Sequence, residues 1–113
     1  MIDVQVQRLD DKTVIVDLLG DVNAFAESSI AAAYNQITDQ GFNNIIFNFQ
    51  QGDIIATQGM AVLVNVVAQA YRRHQTLCMA IPDLHFRRIF SLIGVTQYAQ
   101  VVDSLEAAKR QLA

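Results

Sequence analysis

The sequence has one cysteine, one proline, five glycines and no tryptophan among 113 residues. A lone Cys78 excludes an intramolecular disulfide and any cysteine-rich metal site, and it suits a reducing compartment. With so little proline and glycine, no linker or low-complexity segment stands out, and no internal repeat is visible. Blocks of basic residues are also missing. Arg72-Arg73 and Arg87-Arg88 are isolated pairs in a chain of net charge −3. Binding to nucleic acid needs a basic stripe to neutralise phosphates, so no direct nucleic-acid partner is expected. The apolar stretches are too short and too interrupted to insert across a bilayer. Met1-Ile2-Asp3-Val4 is not a basic segment leading into an apolar one, so it does not read as a secretion signal, and a cytoplasmic location is expected.

Catalytic constellations are equally scarce. His74 and His85 have no second histidine, cysteine or carboxylate at metal-ligand spacing, and both read as solvated surface residues. Cys78 sits between Leu77 and Met79 in an apolar run and reads as an inert buried thiol. Asp3, Asp10, Asp11, Asp17 and Asp21 cluster near the first turn without forming an acid/base pair. Neither GxGxxG nor GxxxxGK[ST] occurs. The chain is therefore read as a non-enzyme, with no cofactor and no metal.

What the sequence does have is apolar residues, 52% of the total against 17% charged. A chain of this length buries a core without staples and is expected to form one domain over residues 1–113. The apolar surplus points to surface contacts. Val4 and Val6 alternate with Gln5 and Gln7 as in a strand, Asp10-Asp11-Lys12 forms a turn, and Val14 to Leu19 is a second strand, giving an antiparallel hairpin. From about Phe25 to Gln40 the period becomes helical, with Ile30, Ala33, Tyr34 and Ile37 on one face and Gly41 as the stop. Asn44–Phe49 is a strand buried on both faces. Gln50–Thr57 is a loop, and a long helix follows over about 58–73. Its expected core stripe is Met60, Leu63, Val64, Val67, Ala70 and Tyr71. Leu77–Ile81 is a further strand, closed by Pro82. Phe86, Ile89, Phe90 and Ile93 mark a third helix ending at Gly94. Val101-Val102 reads as an edge strand, and Asp103 or Ser104 caps a last helix. The expected fold is α/β: a mixed sheet of four to five strands flanked by about four helices.

One segment draws attention to itself. Ile54 to Met60 joins a buried strand to the longest helix. Thr57 is expected as its N-cap, with the hydroxyl oxygen accepting from a first-turn amide. Gly59 lies early in the helix, where a missing side chain would let a partner approach the backbone. The plainer alternative is a simple cap and a packing glycine.

These residues carry a resemblance. Asn48-Phe49-Gln50 followed by Ala56-Thr57-Gln58-Gly59-Met60 resembles the D-L-S…D-S-S-G-L motif of STAS-domain anti-sigma factor antagonists, with the spacing kept. Leu19-Gly20-Asp21-Val22-Asn23 resembles the family's L-x-G-E-L-D. Arg88-Ile89-Phe90-Ser91-Leu92-Ile93-Gly94-Val95 resembles R-I-F-x-L-x-G-L, and Val102 to Ala108 resembles the closing D-S-x-E-E-A. The likeness covers nearly the whole chain.

The resemblance implies a STAS-like fold and a partner-switching role in transcription regulation. In that role the unmodified protein binds an anti-sigma factor, often a Ser/Thr kinase. Phosphorylation of the first motif serine breaks the complex, and a phosphatase restores it. By position, the acceptor here is Thr57. The partner-binding surface would comprise Asn23, Ala56, Thr57, Gln58 and Gly59, with Val62 and Val66 as apolar contacts lying off the core stripe. The chain departs from the motif at Ala56, Gln58, Asn48 and Asn23, which stand where the family has acids or the second serine. Two other roles compatible with the resemblance are a scaffold subunit that self-associates into a homo-oligomer, and an accessory subunit of a lipid transporter or a small-ligand sensor.

Overall fold

The computed structural model describes residues 2–112. Strands β1 (Asp3–Arg8) and β2 (Thr13–Leu19) form the expected antiparallel hairpin. Asp10 closes its turn, with Oδ1 accepting from the backbone N–H groups of Lys12 at 2.9 Å and Thr13 at 2.8 Å. Short turns that donate amides to an aspartate need no tertiary help to form.

Helix α1 (Glu27–Asp39) then crosses to β3 (Asn44–Phe49), α2 (Thr57–Arg72) to β4 (Thr76–Ala80), and α3 (Leu84–Leu92) to β5 (Gln100–Val102). Helix α4 (Leu105–Leu112) ends the order, with Ser104 Oγ accepting from the N–H of Ala107 at 3.1 Å as its cap. The five strands lie in the order β1-β2-β3-β4-β5, parallel from β2 onward.

Side-chain alternation along the strands explains the layers. Val14, Val16 and Leu18 of β2, Ile45, Phe47 and Phe49 of β3, and Leu77 and Met79 of β4 face α1, α2 and α3. Ile15, Ile46, Cys78 and Ala80 point the other way and pack under α4 against Ala108. Both faces of β3 and β4 are thus covered, which is why these strands read as unbroken apolar runs. Burying each large aliphatic side chain contributes about 1.5–3 kcal/mol, so the larger layer dominates the stability.

Two features differ from the sequence reading. The stretch before α1 is not α-helical: Ala24–Ala26 forms a 3-10 turn capped by Asn23, whose Oδ1 accepts from the N–H of Phe25 at 2.9 Å. A second 3-10 turn, Val95–Gln97, follows Gly94, whose φ of 88° ends α3 as expected.

The larger correction concerns the face of α2. Its buried residues are Gly59, Leu63, Val66, Val67 and Ala70. Val64 and Tyr71, expected in the core, are exposed at 38% and 55%, and Val66, expected on the surface, is only 3% exposed. The helix is rolled by about one residue relative to the stripe read from the sequence. Several small or β-branched apolar residues surround the α2 axis, so period alone did not choose the face. The close seat of Gly59, described below, did.

Candidate functional site

The site forms where β2 and β3 run out of the sheet. Past their ends the two chains stay paired through an isolated parallel bridge between Val22 and Ile55. The N–H of Val22 donates to Ile54 O at 2.9 Å, and the N–H of Ala56 donates to Val22 O at 2.8 Å. Two carboxylates brace the junction. Asp21 Oδ1 accepts from the N–H of Ile54 at 2.8 Å, and Asp53 Oδ2 accepts from the N–H of Gly20 at 2.8 Å. Each loop therefore holds the other's backbone, and the start of α2 is fixed in direction.

Ala56 is the N-cap of α2, with φ −74° and ψ 163°, and no side chain caps the helix. This corrects the expectation that Thr57 caps it. Ala56 O already accepts the first helical bond, from the N–H of Met60 at 2.9 Å, so Thr57 is the first residue inside the helix. Thr57 is exposed. The N–H groups of Thr57, Gln58 and Gly59 have no acceptor among the described residues. Three free donors and the positive end of the helix dipole therefore share the first turn with the exposed Thr57.

Gly59 is buried, and its role differs from the one expected. A Cβ built there would lie 2.1 Å from Val22 O and 2.5 Å from Val22 C. The space beside Gly59 is filled by the chain's own backbone at the β2 exit, so Gly59 admits Val22 rather than a partner. Asn23, half-buried, is the cap of the 3-10 turn. Gln58 is exposed, Ala56 and Val62 are half-buried, and Val66 lies beneath the surface. Gln58, Val62 and Val66 still meet in one place, the wall of a groove of about 400 Å³ between α1 and α2, opposite Ala24, Glu27 and Ala31.

Asn48 lies elsewhere. It alternates with Phe47 and Phe49, so it points to the α4 side of the sheet, away from α2. There its Nδ2 donates to Asp17 Oδ1 at 2.7 Å, while Gln7 Nε2 donates to Asp17 Oδ2 at 2.9 Å.

Two residues at the site escaped the sequence reading. Phe25 is 84% exposed on the 3-10 turn beside α2, and Ile54 is 59% exposed on the loop leading into it. The signal for Ile54 was present: two adjacent isoleucines in an extended loop cannot both face inward, and Ile55 is the buried one. Phe25 was hidden by the assumption that α1 already began there.

Among the described residues no group of three or more histidines, cysteines or acids could hold a metal ion. Cys78 is fully buried, and burial pushes its thiol up to about 11. No helix among the described residues is long and apolar enough to cross a membrane.

The comparisons with known proteins agree with this architecture. SpoIIAA of Bacillus, solved in its phosphorylated form, superposes with a TM-score of 0.72 at 18% identity, covering 98% of this chain and 100% of that one. The anti-sigma factor antagonist SpoIIAA in its unphosphorylated form gives 0.72 at 17% identity, covering 97% and 96%. An anti-sigma factor antagonist from Mycobacterium paratuberculosis gives 0.77 at 13% identity, covering 98% and 93%. At such identities the likeness is one of fold. No curated protein matches the chain at a significant level of sequence similarity. The STAS domain model, however, matches residues 3–108, nearly the whole sequence. The chain belongs to the STAS-domain family.

Proposed function

We propose that this protein is an anti-sigma factor antagonist that works by partner switching. Its docking end is the start of α2, and Thr57 is the residue whose charge decides whether the partner stays. The carrying observation is the exposed Thr57 on a first turn with three amides without acceptors, flanked by the outward-facing Phe25 and Ile54. Exposed aromatic and aliphatic side chains next to a polar centre are typical anchors of a protein interface. The similarity to SpoIIAA, solved in phosphorylated and unphosphorylated forms, supports the same reading.

The physics follows from the helix end. A phosphoryl group adds about −1.5 to −2 charge. The free amides and the dipole of α2 accommodate that charge in the isolated protein. A partner resting on Phe25 and Ile54 would have to strip its hydration, and the complex would fail. The partner is an anti-sigma factor, in the simplest case one that is itself the Ser/Thr kinase, with a phosphatase resetting the switch. The protein acts by binding and contributes no catalysis of its own.

The test is capture from the native host with the wild-type protein and with Thr57→Glu as baits, followed by incubation of the captured kinase with the wild type and ATP. The expected result is a kinase-like partner held by the wild type and lost from Thr57→Glu, with one phosphoryl group mapped to Thr57 by mass spectrometry. A partner held equally by both baits, or phosphorylation confined to other residues, contradicts the proposal.

A further inference from the structure

A second groove lies along the other side of α2, toward the helix's C-terminal half. Val64, Ala68 and Tyr71 form one wall, Val95 and Tyr98 the other, around a volume of about 300 Å³. Tyr71 and Tyr98 meet edge to face across the groove with ring centroids 4.8 Å apart, which joins the two walls at that end. Ile93, 54% exposed, stands on the rim, and Gly94 adds no side chain at the mouth. Apolar residues kept half in water around one concavity indicate a binding surface.

Charge narrows the occupant. Arg72 lines the same groove, and among the described residues its guanidinium has no carboxylate or carbonyl partner. Two of the other three arginines between residues 57 and 98 are occupied. Arg73 lies 5.4 Å over the Tyr34 ring, and Arg87 Nη1 donates to Ile81 O and Pro82 O at 2.7 and 2.9 Å. This stretch of the chain is cationic in an otherwise acidic protein. Residues 57–98 contain four arginines and a single carboxylate, Asp83, whereas the rest of the chain has four cations and ten carboxylates.

We propose that this groove binds a small amphipathic carboxylate, with an aliphatic chain lying between α2 and the 95–98 turn and its head on Arg72. A volume of 300 Å³ is at the small end of ligand sites and suits a chain of roughly ten carbons. One planar guanidinium matches one carboxylate bidentately and balances its single charge, whereas a phosphate dianion on the same fork would keep one charge unbalanced. The site is separate from the Thr57 end, and its occupancy does not depend on the switch.

The probe is decanoate, added below its micelle concentration to the 15N-labelled protein and followed by amide chemical shifts. The expected result is saturable movement confined to residues 64–72 and 93–98. Arg72→Gln, an exposed change that leaves the fold intact by circular dichroism, weakens binding about tenfold or more, the loss of a charge-assisted bond. Decanol, which has the chain without the charge, binds weaker than decanoate by a similar factor. Ala68→Phe, which fills the groove, abolishes the shifts. Movement that does not saturate, that spreads equally to Phe25 and Ile54, or that is unchanged in Arg72→Gln overturns the proposal. So does concentration-dependent movement of the groove residues without ligand, which would mean that a second copy of the chain covers them.

Discussion

Thr57 and Gly59 are two positions apart and respond to different physics. Thr57 is exposed on the first turn of α2, so Thr57→Glu changes no packing, and its carboxylate meets the positive helix end. Its melting temperature is expected to equal or slightly exceed that of the wild type by calorimetry, even as partner binding is lost. Gly59→Ala is expected to do the reverse. Its methyl would meet the Val22 carbonyl at 2.1 Å, and backbone on both sides cannot yield cheaply. A loss of about 3 kcal/mol in urea unfolding is expected. Asn48 gives a third, pH-dependent case. Asn48→Asp would set a second carboxylate against Asp17, where an amide now donates at 2.7 Å. One of the pair would then titrate above the ordinary carboxylate range. Because that folded-state value is raised, the penalty is absent in acid, grows as pH rises from the ordinary carboxylate value toward the raised one, and is full above it. The variant should match the wild type near pH 4 and fall about 1–2 kcal/mol below it at pH 7. The Asn that stands where the family has an acid thus has a local structural reason in this chain.

At the scale of elements, the alternation of β2 and β3, the glycine stops at Gly41 and Gly94, and the order of strands and helices were all legible in the sequence, because period and punctuation are local properties. The roll of α2 was not. Leu63 and Val67 are buried under either stripe, and the choice between Val64 and Val66 is made by Val22, almost forty residues away, seating Gly59. The N-cap was misread for a related reason: Ala56 has no capping side chain, and the bond of its N–H to Val22 O fixes it from outside the helix. The end of α2 holds a further surprise. His74 follows the helix with φ 60°, a left-handed conformation that costs a residue with a Cβ about 1 kcal/mol. Gln75 holds it there, accepting from the Tyr34 hydroxyl at 2.6 Å and donating to Thr38 Oγ1 at 3.0 Å, which ties the α2–β4 turn to α1. His74→Gly is expected to raise stability by about 0.5–1 kcal/mol in the same unfolding assay, and an equal loss would mean that the imidazole contributes contacts of its own.

Across the whole molecule, the proposed functions fall on two sides of one helix. The N-terminal end of α2, braced by Asp21 and Asp53, presents Thr57, Phe25 and Ile54. The other flank presents the Arg72 groove. Strands β3 and β4 behind them are covered on both faces, and Cys78 is sealed within β4, so the thiol is expected to resist iodoacetamide at pH 8 until the protein is unfolded. In the proposed switch no conformational change is needed, because the charge added at Thr57 acts on the contact itself. The most direct test of this claim is calorimetric titration of the captured partner with the wild type, Thr57→Glu and Thr57→Ala. The account predicts that Thr57→Ala binds within a few-fold of the wild type, while Thr57→Glu loses about a hundredfold or more, near 2.7 kcal/mol. Equal affinities for Thr57→Glu and the wild type would contradict it.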